Sequence, residues 1–296
     1  MNLKGTYTAL ITPFKNGEVD YEGLKKLINY IINGGVDGIL LLGTTAETPT
    51  LSSYEKEKII EIGIETVNKR VPVMVGTGSY STKVTIENTK MAKEKGADLV
   101  LIVTPYYNKP TQEGIYHHFK AVVEEVDIQV VVYNIPGRTG RNIEVDTMAR
   151  LSELPNIIGV KEASGNIDQI MRTYADISAK KDFSIMSGDD NLTFPIMALG
   201  GVGVISVASN LIPDRVCKMV NAMLENKLKE ARKIHYELLP FFKGIFIETN
   251  PAPIKEAMNM CNLPAGEVRL PLVPLKPENK EKLKNILIST GILKEA

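Results

Sequence analysis

Lys161 directly follows Ile157–Val160, so a lysine stands at the end of an apolar run that reads as a buried strand. Burying an ammonium is costly, and a lysine in such a place tends to give up its proton. The neutral amine can then attack a carbonyl carbon and form a Schiff base. The competing reading is a lysine held by a carboxylate such as Glu47 or Glu162. Tyr133 closes the preceding apolar run, Gln129–Tyr133. It reads either as a core tyrosine with one hydrogen bond or as a proton carrier for the carbons of an imine. A phenol, with a reference pKa of about 10, needs a relay to act as a base near neutrality. Thr44 and Tyr107 are hydroxyls that could supply it.

Other polar residues stand at the ends of neighbouring runs. Thr44-Thr45 follows Gly43 in an expected strand-to-helix turn, where hydroxyls and backbone N–H groups suit a carboxylate; an ordinary capped turn is the alternative. Arg138 follows a Pro-Gly bend and is either a surface arginine or a bidentate clamp for a carboxylate. Ser187-Gly188-Asp189-Asp190 ends the seventh run, and Ile205 and Ser206 lie in the eighth. The aspartate pair has no His-x-His or further acidic residue at ligand spacing, so no metal is expected, and a helix N-cap is the simpler use. His117, His118 and His235 fall in helical stretches away from the strand ends and read as structural, as do the methionine-rich stretches.

The elements that must position these groups follow a rhythm. Apolar runs recur at Thr6–Leu10, Gly38–Leu42, Val71–Val75, Leu99–Val103, Gln129–Tyr133, Ile157–Val160, Phe183–Met186 and Gly203–Val207. Their continuous apolar character is that of parallel strands buried on both faces. Charged segments of helical period separate them, with Ser52 and Ser53 as possible N-caps and Gly34-Gly35 and Gly96 as stops. Eight such units predict a closed α/β (β/α)8 barrel, the TIM-barrel architecture, whose active site sits at the C-terminal ends of the strands. No strand opens into G-x-G-x-x-G, which argues against a dinucleotide fold. After Asn210 the strands stop, and residues 213–296 read as helices with Pro-rich connectors. The expected division is a catalytic barrel over 1–212 and an α-helical extension over 213–296.

Composition narrows the function classes. The 296 residues are 44% hydrophobic and 24% charged, which suits a globular chain with a large core. Lysine plus arginine equals aspartate plus glutamate at 35 each, so no basic field invites nucleic acid or an anionic membrane. No apolar run reaches the roughly 18 residues of a spanning helix, and no signal peptide is read at the start. Two cysteines, Cys217 and Cys261, suit a reducing compartment, so a cytoplasmic protein is expected.

Seven segments together resemble the dihydrodipicolinate synthase family, within the pyruvate-dependent class I aldolases and lyases: Gly43–Glu47, Thr104–Pro110, Tyr133–Gly140, Gly159–Gly165, Ser187–Asp190, Gly203–Val207 and Glu248–Met258. The resemblance implies that Lys161 forms a Schiff base with pyruvate. It also implies that Tyr133 is the general acid/base and that Thr44 passes protons between it and Tyr107. That second tyrosine would enter the active site of a neighbouring subunit. Thr45 would hold the pyruvate carboxylate, Ile205 would contact bound pyruvate, and Gly188 would line the substrate site. Arg138 would bind the carboxylate of aspartate semialdehyde. No metal or pyridoxal phosphate is implied, and the family is commonly a tetramer of two tight dimers. Within the same group, a sialic-acid or keto-deoxy-sugar lyase is the runner-up, disfavoured by Arg138. A non-catalytic keto-acid sensor is disfavoured by Lys161 and Tyr133 together. Where lysine-inhibited relatives carry histidine, asparagine and glutamate, this chain has Ser53, Lys56, Tyr80 and Val84, so weak or absent lysine feedback is expected.

Overall fold

The computed structural model describes residues 3–294. Eight strands form a closed parallel barrel: β1 (Gly5–Ala9), β2 (Gly38–Leu41), β3 (Val73–Gly76), β4 (Leu99–Val103), β5 (Gln129–Asn134), β6 (Ile157–Glu162), β7 (Ser184–Ser187) and β8 (Gly203–Ser206). Each pairs with its chain neighbours, and β8 closes the ring on β1 with Gly5 opposite Gly203. Every run singled out by its apolar character is a strand, within two residues at either end. One pairing was not expected. Phe14–Lys15 and Glu18–Val19 form a small antiparallel hairpin, turned through Asn16 and Gly17 at positive φ.

Alternate residues of each strand face opposite sides. Tyr7, Leu40, Leu101, Val131, Tyr133 and Met186 belong to the cluster that fills the barrel. Ile39, Leu41, Val100, Val132, Val160 and Ile185 belong to the larger cluster beneath the helices. Two buried faces per strand explain the uninterrupted apolar runs.

Local signals start and stop the helices. Ser52 caps the helix Ser53–Val67 in a reciprocal capping box with Glu55. Tyr21–Asn33 and Thr82–Glu94 both run out within two residues of a glycine at positive φ, Gly35 and Gly96. The expected C-terminal helices are Pro213–Leu224, Leu228–Gly244, Ala252–Met260 and Pro277–Ser289. The first of these packs on β1 and completes the barrel's outer ring. The outer core runs without a break from barrel residues such as Ile39 to extension residues such as Phe242 and Leu283. The expected division at 212/213 falls inside this continuous packing. His118 is buried with Nδ1 2.9 Å from the Thr82 hydroxyl, and His235 packs beside Phe194 and Phe242.

Candidate active site

The C-terminal rim brings the two sharpest candidates face to face. In the β5–β6 register Tyr133 lies opposite Lys161, and on the other side Lys161 lies opposite Met186. Lys161 and Tyr133 are each only 5% exposed, and the lysine Nζ stands 4.3 Å from the centre of the Tyr133 ring. Burial pulls the Lys161 amine down to about 7; the Asp190 and Asp189 charges oppose that shift and the Arg138 charge assists it. At neutral pH such an amine is roughly a thousandfold richer in its unprotonated form than an exposed lysine.

Neither carboxylate named as an alternative partner holds this lysine. Glu47 is paired with Lys255 at 2.8 Å. Glu162 accepts from Asn134 Nδ2 at 3.1 Å and from the Ser164 N–H at 2.6 Å. Its side chain leaves β6 on the face opposite Lys161, as strand alternation requires.

The phenol of Tyr133 is pushed up to about 12 by burial, against the opposing pull of the Arg138 charge and the Thr44 hydroxyl. Thr44 opens the single turn Thr44–Ala46 that follows β2. A cavity of about 470 Å³ has Thr44, Tyr133 and Arg138 in its wall and extends outward to Lys56, Tyr80 and Val84. Lys161 is not part of this wall; it adjoins it through the Tyr133 ring, over which its Nζ stands.

The other expected residues fall as follows. Thr45 is buried, and its Oγ1 accepts from Asn250 Nδ2 at 3.0 Å, which leaves its own O–H free to donate to an anion. Arg138 lies on the one-turn helix Pro136–Thr139, exposed, and donates to the Asn250 carbonyl at 3.3 Å. Ile205 is buried in the barrel-filling cluster with Tyr133 and Met186. Gly188 lies against the reactive strand: an added methyl there would stand 2.8 Å from Ala163 Cβ and 3.1 Å from Lys161 Cγ. Tyr107 does not join Thr44 and Tyr133 within the chain. It is 91% exposed, with φ of 67°, and points away from the cavity that its neighbour Tyr106 helps to line.

The expected N-cap role of the aspartate pair takes a different form. Asp190 begins a short turn, and its buried carboxylate accepts from the Ser206 hydroxyl at 2.5 Å and from the Val207 and Ala208 N–H groups at 2.9 and 3.1 Å. It therefore braces the segment after β8 rather than its own helix. Asp189 is raised to about 6, chiefly by burial and then by the Asp190 charge. Among the described residues, no three His, Cys, Asp or Glu side chains gather as a metal site.

Two residues beside the rim carried no role in the sequence reading, Asn250 and Lys255. Both lie in the segment Glu248–Met258, whose ETNPAPIKEAM motif was their only signal, because it falls in the helical extension and not at a strand end.

Comparison with known proteins identifies the family. A family model described as the Dihydrodipicolinate synthetase family matches residues 2–290. The chain is 55% identical over 289 residues to the 4-hydroxy-tetrahydrodipicolinate synthase of Protochlamydia amoebophila, covering 97% of this chain and 96% of that one. It is 49% identical over 291 residues to the enzyme of that name from Methanocaldococcus jannaschii, covering 98% and 99%. The crystal structure of dihydrodipicolinate synthase from Thermotoga maritima superposes with a TM-score of 0.96 at 44% identity, covering 99% of this chain and all of that one. With a barrel of this order, a buried lysine facing a buried tyrosine, and likeness over nearly its whole length, the chain belongs to the dihydrodipicolinate synthetase family.

Proposed function

We propose that this chain condenses pyruvate with L-aspartate 4-semialdehyde to give 4-hydroxy-tetrahydrodipicolinate, a lyase reaction that opens diaminopimelate and lysine biosynthesis. The observation that carries the reading is the buried, unpaired Lys161 amine, brought near neutrality and standing over the Tyr133 ring. Lys161 adds to the pyruvate ketone, water leaves, and a protonated imine results. The positive nitrogen draws electrons from the methyl group, whose proton passes to the Tyr133–Thr44 relay. The enamine carbon attacks the semialdehyde, and the relay returns a proton to the new alkoxide. The second substrate's own amino group then attacks the imine carbon, displaces Lys161 and closes the six-membered ring. The iminium is the electron sink, so every step uses groups of this chain and its two substrates. Neither a metal nor pyridoxal phosphate is called for.

Thr45 takes the pyruvate carboxylate, supported by its free O–H, while Ile205 and Gly188 shape the wall around the imine. Arg138 at the entrance takes the carboxylate of the semialdehyde; a lyase for a long sugar acid has no use for a cation there. Arg138→Ala is therefore expected to lower kcat/KM for aspartate semialdehyde about 100-fold while changing the KM for pyruvate less than threefold. Equal loss toward both substrates would contradict the assignment. Product formation from pyruvate and aspartate semialdehyde, set against cleavage of sialic acid, tests the substrate choice itself.

The protein is read as a cytoplasmic enzyme that works as at least a dimer, and as a tetramer built from two tight dimers. The support for the dimer is Tyr107, an exposed aromatic held in the left-handed region and aimed out of its own site. In the dimer its hydroxyl would complete the partner's relay.

The pH dependence follows from Lys161. The reactive form is the neutral amine, and its fraction grows as pH rises through about 7. With pyruvate below saturation, the rate of imine formation is expected to climb close to tenfold per unit below that pH and to level above it. A rate that keeps climbing to pH 10, measured by rapid trapping, would show an ordinary solvated lysine.

Feedback by lysine is expected to be weak or absent. An ammonium and amino-acid head group would meet Lys56, Tyr80 and Val84 on the outer cavity wall, with Ser53 at the start of the neighbouring helix. None of the four offers a carboxylate. Half-inhibition at sub-millimolar lysine would overturn this expectation.

A further inference from the structure

Behind the turn that bears Thr44 and Thr45 lies a polar cluster that the proposed chemistry leaves unused. Glu47 ends this turn with φ of 55°, a left-handed conformation that is uncommon for a residue other than glycine and that surrounding contacts help to hold. The C-terminal extension holds both of its carboxylate oxygens. Lys255 Nζ donates to Oε1 at 2.8 Å, and the Arg269 backbone N–H donates to Oε2 at 2.9 Å. The two side chains of the ion pair are 2% and 0% exposed. Lys255 spends its other protons on the Thr12 carbonyl at 3.0 Å and on the Glu267 carbonyl. Thr12 in turn donates to the Ala46 carbonyl at 2.8 Å. Asn250 grips Thr45, and the Glu47 N–H closes the turn on the Thr44 carbonyl at 3.1 Å.

Thr45, Ala46 and Glu47 are thus each fixed from outside the turn, and Thr45 and Glu47 by groups more than 200 residues further along the chain. Stability alone is a poor reason for this arrangement. A well-packed apolar pair of the same volume is often as stable as a buried ion pair, or more so. What an apolar pair lacks is direction: a carboxylate held at both oxygens orients the backbone that carries it.

We propose that the Glu47–Lys255 ion pair is a positioning pair for catalysis: it orients the backbone from which Thr44 and Thr45 project, and so governs proton transfer and keto-acid binding but not imine formation. This rests on the roles given above to Lys161, Thr44 and Thr45. The helical extension thereby becomes a working part of the barrel's active site.

Three full-length variants test it: Glu47→Gln, Lys255→Met, and the double variant. Each single change leaves a buried group unpaired and weakens the fold; the double change removes both charges and is expected to recover most of the lost thermal stability. Each is assayed folded, below its own unfolding transition, by three readouts. These are borohydride trapping with saturating pyruvate, exchange of the pyruvate methyl protons in D2O, and the KM for pyruvate. Trapping on Lys161 is expected to stay complete in the double variant. Methyl exchange is expected to fall about 100-fold, as misplacement by an ångström does, and the KM to rise about tenfold, the loss of one good hydrogen bond.

A folded double variant with exchange and KM within twofold of the parent would reduce the pair to a stability clamp and overturn the proposal. Loss of trapping in step with exchange would overturn it too, by showing general collapse of the site. Should the single variants fail to fold, the double variant decides alone. Absence of trapping in the parent would instead refute the Schiff-base reading on which the proposal stands.

Discussion

Lys161→Met is expected to abolish condensation, by at least about a thousandfold in kcat/KM or about 4 kcal/mol of transition-state stabilisation, without lowering the unfolding temperature. The two halves of this result belong together. The amine is buried at the rim and brought down to about 7, so it is neutral enough to bond to a ketone carbon where an exposed lysine is not. It is also a buried polar group in the barrel, next to Tyr133 and opposite Met186, with no carboxylate bound to it among the described residues. A thioether of similar volume suits those neighbours better than an amine does. A lysine that served the fold would show the reverse, lost stability with activity partly kept. Stability against pH separates the cases further. The folded-state pKa is depressed to about 7, so between there and the ordinary lysine value the unfolded chain carries a proton that the folded chain has released. This group's contribution therefore makes stability rise with pH across that window, and Lys161→Met is expected to flatten the rise.

Tyr133→Phe is expected to lower kcat by about 100- to 1000-fold, the range of a lost general acid/base. Phenylalanine keeps the ring and its packing against Lys161, and loses the hydroxyl that Thr44 approaches. Imine formation in the variant is slowed but not prevented, so pyruvate is still trapped by borohydride on long incubation. Methyl-proton exchange is the step that suffers most. The Thr44 hydroxyl acts on the Tyr133 phenol in the free protein, and catalytic hydrogen bonds of this kind commonly tighten as substrate arrives. Stopped-flow or NMR measurement of exchange checks the outcome; exchange in Tyr133→Phe at the parent's rate would remove Tyr133 from the mechanism.

The barrel was readable from the sequence because both faces of each strand are buried, which writes eight continuous apolar runs into the chain. The place of Lys161 and Tyr133 at the rim was readable for the same reason: Lys161 directly follows such a run and Tyr133 closes one. The hairpin was not, since strands of two residues have no periodicity, although Asn16-Gly17 is the dipeptide such a turn favours. Tertiary partners were hidden as well. That Glu47 belongs to Lys255 and not to Lys161 depends on the extension folding back across the mouth of the barrel, a contact between residues 208 positions apart. Asp190 likewise looked like a local cap and turned out to brace the segment after β8. Spacing along the chain specifies which face a residue takes; it does not specify which distant element comes to meet it.

The most direct measurement is to incubate the native protein with pyruvate and borohydride and to map the modified residue by peptide mass spectrometry. The account requires one reduced pyruvate per chain, attached to Lys161 and lost in Lys161→Met. An unmodified protein, or label spread over surface lysines with Lys161 untouched, would contradict it.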